Sequence, residues 1–184
     1  MIGKSNLPML FKALSFAADK HRGQKRKDDC TPYINHPIAL SNLLVNEGCI
    51  TDTDILCAAL LHDLIEDTPV KPEELKELFG ELITDIVVEV TDDKDLDKPV
   101  RKLAQVNHAP YLSKAARAVK LADKICNLRD VVESPPTRWP LERRQEYFAW
   151  SKRVIDGLRG DWPNLEDLFD QEYEAGLSTL IKGN

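Results

Sequence analysis

From Ile55 to Thr68 the chain reads Ile-Leu-Cys-Ala-Ala-Leu-Leu-His-Asp-Leu-Ile-Glu-Asp-Thr. An apolar run passes without a break into four ionisable side chains. A segment this apolar has to be buried, and it takes His62, Asp63, Glu66 and Asp67 in with it. A buried carboxylate without a partner is costly, so the fold must supply one here. A divalent cation is one such partner, and a His-Asp pair suits it. Helical spacing sharpens the point, because residues four apart share a face. His62 is followed at that spacing by Glu66, and Asp63 by Asp67. One helix end then offers two metal ligands and, a turn later, two carboxylates near a bound water.

The rest of the pattern is helical too. Residues 7–22 carry Leu10, Leu14, Ala17 and Ala18 on one side, and the segment from Gly23 to Tyr33 reads as a loop. Pro37 suits the first turn of a helix running to Glu47. Thr51 and Asp54 resemble a capping box ahead of the cluster helix. Pro72 opens a helix that ends near Gly80. Residues 81–91 are rich in β-branched side chains, yet their apolar spacing also fits a buried helix, and helix is the reading adopted. Further helices are expected over 99–107, 113–133, 140–159 and 163–181. The expectation is an all-α chain forming one domain over 1–184, with a core at about 7–160 and a C-terminal helix at about 163–181. A chain of 184 residues is long enough for a substantial core.

The net charge of −6 argues against a general nucleic-acid binder, which is usually basic. It leaves room for a local cationic pocket. No stretch reaches the apolar length of a membrane span, and residues 1–8 lack the apolar core of a signal peptide. None of Cys30, Cys49, Cys57 and Cys126 forms a Cys-x-x-Cys pair, which fits reduced thiols and a cytoplasmic location. Oligomeric state is open, including a homodimer. Trp139, Trp150 and Trp162 are as fit for an interface as for a core.

Two further segments can complete a metal site. His36 stands in Thr31-Pro-Tyr-Ile-Asn-His-Pro37, where a rigid turn would fix the ring. Asp123 interrupts an apolar helical face in Val119-Lys-Leu-Ala-Asp-Lys-Ile-Cys-Asn-Leu-Arg129, with Asn127 one turn on. A buried Asp there needs an arginine or a metal. Together His36, His62, Asp63 and Asp123 make a two-His, two-carboxylate set. Mixed nitrogen and oxygen ligands suit Mn²⁺ or Fe²⁺ better than structural zinc, and such a site can activate water toward phosphorus.

These stretches resemble the HD-domain hydrolases of the RelA/SpoT group, and among them the small alarmone hydrolases that include the metazoan SpoT homologue. The matching segments are His21 to Lys27, Thr31 to Pro37, Leu60 to Asp63 with Glu66 to Thr68, Val90 to Lys94, Lys120 to Lys124 with Asn127 to Asp130, and Arg143 to Trp150. They run in order over roughly residues 10–160. The resemblance implies an all-α bundle, His36, His62, Asp63 and Asp123 as ligands for Mn²⁺, and Glu66 and Asp67 as the pair that activates water. It implies a small nucleotide substrate, guanosine tetraphosphate or pentaphosphate, from which the 3′-pyrophosphate is removed. Adenosine analogues and NADPH 2′-phosphate removal are activities of relatives. Arg26, Lys27, Lys98, Asn127, Arg143 and Tyr147 match substrate-contacting positions or support them, whereas His21 reads as structural. The loop Lys27 to Thr31 lacks the glycine often found before Thr-Pro-Tyr in the family. A non-catalytic alarmone sensor is the alternative of another class, and the intact Glu66-Asp67 pair argues against it.

Overall fold

The computed structural model describes residues 6–182. Among them the chain is all-α, and its β-type pairing is a single bridge between Lys25 and Pro32. In chain order the helices are α1 (Leu7–Lys20), α2 (Asn35–Asn46), α3 (Thr53–Leu61), α4 (Leu64–Asp67), α5 (Pro72–Phe79) and α6 (Glu81–Val90). There follow α7 (Lys98–His108), a 3₁₀ turn (Ala109–Tyr111), α8 (Lys114–Glu133), α9 (Leu141–Asp156) and α10 (Pro163–Lys182).

Helix α3 is the centre. Every residue from Ile55 to Leu61 is buried, so this helix is apolar all round, as a core helix must be. It packs against α1, α2, α6 and α8. The long α8 lies across α2, α3, α6, α9 and α10, and buries Leu121, Ile125 and Leu128. Helix α6 settles the ambiguity of residues 81–91. Ile83, Ile86, Val87 and Val90 are its buried apolar positions, a helical period, and the hydroxyl of the buried Thr84 bonds back to the Gly80 carbonyl. Tertiary burial along one face outweighs the β-branched propensity.

Several ends differ from expectation. The Thr51–Asp54 capping box does not form. Asp52 caps α3 instead, accepting from the Asp54 and Ile55 amides at 2.9 and 3.3 Å. A carboxylate oxygen reaching its own helix's second and third amides is the ordinary cap geometry. Helix α2 starts at Asn35 rather than at Pro37, and α1 ends at Lys20. The loop lacking glycine solves its turn with Asp29, which takes φ of 64°, a conformation Asp tolerates better than most residues. The Asp28 carboxylate accepts the Cys30 and Thr31 amides, and Thr137 holds Asp29 from the far side. The tryptophans belong to the packing: Trp150 is buried, and the indoles of Trp150 and Trp162 donate to the Lys102 and Lys114 carbonyls.

Candidate active site

The helix carrying the His-Asp cluster does not run through it. Helix α3 stops at Leu61, and Asp63 adopts φ −93° and ψ −2° before α4 begins. This break turns two adjacent side chains, which a continuous helix would splay, toward one point. His62 Nε2 lies 3.0 Å from Asp63 Oδ2. His36, at the start of α2, and Asp123, midway along α8, meet them there. His36 Nε2 is 3.2 Å from Asp123 Oδ1 and 4.0 Å from Asp63 Oδ2, and His62 Nε2 is 3.9 Å from Asp123 Oδ1. The donor atoms of His36, His62 and Asp123 all lie within 4.8 Å of one another. Four residues, from two separate helices and the turn between α3 and α4, therefore converge.

The donor set fits a divalent cation. His62 Nδ1 is 2.9 Å from the Ala59 carbonyl and donates to it, which leaves a lone pair on Nε2. That nitrogen is buried without an aligned hydrogen-bond partner. A ring lone pair facing two carboxylates is repulsive unless a proton or a cation stands between them. In the metal-free protein a proton does this. Burial works against the charged ring, but Asp63 and Asp123 outweigh it and push His62 up to about 9. Burial keeps His36 below its ordinary value. Burial also opposes the charge on Asp63 and Asp123, yet the histidines and, for Asp123, Lys124 hold both well below the usual carboxylate range.

Partners outside the ligand set orient it. Asp123 Oδ2 receives Lys124 Nζ at 3.0 Å, and Asp123 Oδ1 receives Asn127 Nδ2 at 2.6 Å. Asn127 in turn accepts from Arg26 at 2.7 Å, and Arg26 is tied to Asp130 at 2.5 Å. In this arrangement Asn127 and Arg26 are engaged with the protein itself. Lys27 stands over the Trp139 ring at 5.6 Å and Arg143 at 4.6 Å. Tyr147 is wedged between Trp139 and Trp150, each 5.4 Å away.

Glu66 and Asp67, on α4, face the ligand set from two different environments. Asp67 lies 2.9 Å from the Tyr33 hydroxyl oxygen and is bonded by Lys94. Glu66 accepts only the Asp92 amide, at 3.3 Å, with Lys94 3.7 Å away. Burial, then Asp92, Asp63 and Asp67, raise the Glu66 carboxyl above its ordinary value. A carboxylate poised this way is suited to proton transfer.

The ligand set, Glu66, Asp67 and, among their neighbours, Arg26, Lys27, Asn127, Arg143 and Tyr147 line one cavity of about 870 Å³. Its wall carries ten lysines and arginines against six carboxylates, in a chain of net charge −6. Lys98 lines it from the start of α7. Sequence reasoning missed Tyr33, Lys94, Asp92, Lys120 and Lys124 as site residues. Tyr33 carried a signal, standing three residues before His36 in a segment already singled out. His21, buried and stacked on Tyr33 at 4.7 Å, supports that ring from behind.

The HD-domain family model matches residues 13–148. A guanosine-3′,5′-bis(diphosphate) 3′-pyrophosphohydrolase of Xenopus tropicalis is 49% identical over 170 residues, covering 92% of this chain and 95% of the relative. The human protein of that name is 49% identical over 176 residues, covering 95% and 98%. A solved structure of a metazoan ortholog of SpoT, described as hydrolysing ppGpp, matches with a TM-score of 0.88. It is 48% identical, and the match covers 91% of this chain and 94% of that one.

Proposed function

This chain belongs to the HD-domain family, and from that membership we propose that it is a metal-dependent hydrolase of guanosine tetraphosphate and pentaphosphate. It removes the 3′-pyrophosphate and leaves GDP or GTP, with the adenosine analogues as further substrates. The observation that carries the reading is the convergence of His36, His62, Asp63 and Asp123 beside Glu66 and Asp67, at one end of a cation-rich cavity. Relatives about half identical along nearly their whole length bear the name of this activity.

His36, His62, Asp63 and Asp123 would hold the ion, and the mixed nitrogen and oxygen set favours Mn²⁺. When bound, the ion supplies acidified water and a Lewis acid for a phosphoryl oxygen. The remaining work belongs to the chain. Glu66 takes the proton of the water that attacks the 3′-phosphorus, the bond from that phosphorus to the ribose oxygen breaks, and the ribose oxygen leaves as a hydroxyl by taking a proton from solvent. Asp67, fixed by Lys94 beside the Tyr33 hydroxyl, orients that water. Lys27, Lys98 and Arg143 hold the phosphates, with arginine able to grip one through two hydrogen bonds. Tyr147 and Trp139 form an aromatic wall, and Arg26 with Asn127 supports Asp123 and the cavity edge. The four free cysteines support a reducing, cytoplasmic setting.

The test is pyrophosphate release from guanosine tetraphosphate by the purified protein, with Mn²⁺ and with a chelator, beside Asp63→Ala. Release that needs metal and is lost in the variant supports the reading. No release from the metal-loaded protein would overturn it and turn attention to NADPH and then to the sensor alternative.

A further inference from the structure

The mechanism above leaves one buried cation unused. Among the described residues Lys120 and Lys124 are the buried lysines. Lys124 is accounted for by Asp123. Lys120 lies one turn earlier on α8, and its ammonium donates to the Val90 carbonyl at 2.9 Å and stands 3.7 Å from Asp92 Oδ1. Both partners belong to the turn where the chain leaves α6. Asp92 is also held from α7, by the Gln105 amide and by Arg101, whose Nε is 3.9 Å away. The backbone amide of Asp92 is the donor that meets Glu66 Oε2 at 3.3 Å. A buried lysine is costly unless its partners are good ones, and here the partners are the segment that aims the Glu66 carboxylate.

We propose that Lys120 and Asp92 are positioning residues for Glu66, clamping the Val90–Asp92 turn between α8 and α7 so that its amide fixes the carboxylate. This rests on the reading that Glu66 takes the water's proton. The clamp also sets the field at Glu66. The charged groups facing that carboxylate are Asp63 and Asp67 from its own turn, Asp92 and Lys94 from the segment after α6, and Lys120 from α8. Asp92 and Lys120 act on it with opposite sign. Asp92→Asn removes a negative neighbour, favours the Glu66 carboxylate and moves its titration to lower pH. Lys120→Met removes a positive neighbour and moves it to higher pH.

The experiment compares wild type, Asp92→Asn, Lys120→Met and Glu66→Gln. Carboxyl titration is followed by NMR with ¹³C-labelled glutamate in the metal-free proteins, taking the Glu66 signal as the one absent from Glu66→Gln. Mn²⁺ content, and kcat and KM with guanosine tetraphosphate across pH, are measured alongside. The expected result is opposite displacement of the Glu66 titration in the two variants. Their kcat falls roughly 10- to 100-fold, the scale of a small misplacement of a reacting group, with KM and Mn²⁺ content unchanged. Shifts in one direction, or none, overturn the proposal, as does loss of Mn²⁺ in step with activity. If Lys120→Met fails to fold, Asp92→Asn decides alone by the direction of its shift. If wild type leaves guanosine tetraphosphate intact, the function proposed above falls while the NMR comparison still judges the clamp.

Discussion

Tyr33 donates its hydroxyl proton to Asp63 at 2.6 Å. The same oxygen lies 2.9 Å from Asp67, so one phenol stands between a metal ligand and a member of the water-orienting pair. A single proton serves only one carboxylate at a time. Burial and the two carboxylates hold the phenol protonated, well above its ordinary value. Helical spacing makes the arrangement reachable, since Asp63 and Asp67 are one turn apart across α4.

Tyr33→Phe keeps the ring that stacks on His21 and removes only this hydrogen bond. Outer partners of metal ligands typically contribute ten- to a hundredfold in affinity. Mn²⁺ affinity, measured by calorimetric titration, is expected to fall by about that factor, with Asp67 held by Lys94 alone. Unchanged affinity would show that Asp63 needs no support from Tyr33.

Asp63→Ala and Glu66→Ala separate binding from chemistry. The first removes a ligand 3.0 Å from His62 Nε2, and Mn²⁺ should no longer be retained on gel filtration. The second removes a group that touches no ligand atom and accepts only the Asp92 amide. It should keep the ion and lose roughly 10²- to 10⁴-fold in turnover, the scale of a missing general base. Equal loss of metal in both would end this division of roles.

How far the site was legible in the sequence follows from what kind of fact each part is. His62, Asp63, Glu66 and Asp67 stood out because they sit in an apolar run, and burial of charge is a local contradiction. Asp123 was marked in the same way on α8. The break between α3 and α4 was not marked, because nothing in Leu61-His62-Asp63-Leu64 is a helix breaker. The turn is set by the convergence of ligands from α2 and α8, which is a tertiary cause. Tyr33 with Asp67, Lys94 with Asp67, and Lys120 with Asp92 are pairings between distant segments. No periodicity announces them, and a lysine in a polar loop reads as solvated. The cap at Asp52 instead of Thr51 is of another kind: two adequate cap residues were adjacent, and backbone geometry chose between them.

Arg143 and Lys98 line the cavity, and among the described residues neither takes part in an ion pair with a carboxylate. Their positive charge is available to phosphate. Arg143→Ala or Lys98→Ala should raise KM for guanosine tetraphosphate by about 10- to 100-fold, as expected for losing a charge-assisted hydrogen bond of about 1.5–3 kcal/mol. Turnover at saturation should change less. The KM of wild type should also rise with ionic strength more steeply than that of either variant. A fall in kcat with KM intact would place the residue nearer the reacting phosphorus.

Gly176 tests whether α10 is part of the same body as the site. A Cβ at that position would stand 2.6 Å from the Phe148 ring, and Phe148 is fully buried on α9. Gly176→Ala should cost about 1–3 kcal/mol by overpacking. For a chain of this size that is roughly 2–4 °C in Tm per kcal/mol, read by thermal denaturation. Because Phe148 adjoins Tyr147 in the cavity wall, a rise in KM is expected with the lower Tm, while Mn²⁺ affinity stays the same.

Metal affinity should depend on pH with a definite sign. In the metal-free protein Asp63 and Asp123 overcome burial and push His62 up to about 9. At neutral pH the Nε2 that faces the site therefore carries a proton. An ion needs the lone pair there, so each ion bound below about pH 9 displaces that proton. Apparent Mn²⁺ affinity should rise about tenfold per pH unit between roughly 6.5 and 8.5, since one unit of proton competition is one factor of ten. It should then level off as the ring deprotonates unaided. Calorimetric titrations in two buffers of different ionisation enthalpy would count the released proton directly. His62→Ala offers no proton to displace and should bind more weakly with a flatter pH dependence. Wild-type affinity that is level across this range would show that the ring is already neutral, and that the two carboxylates alone balance the site.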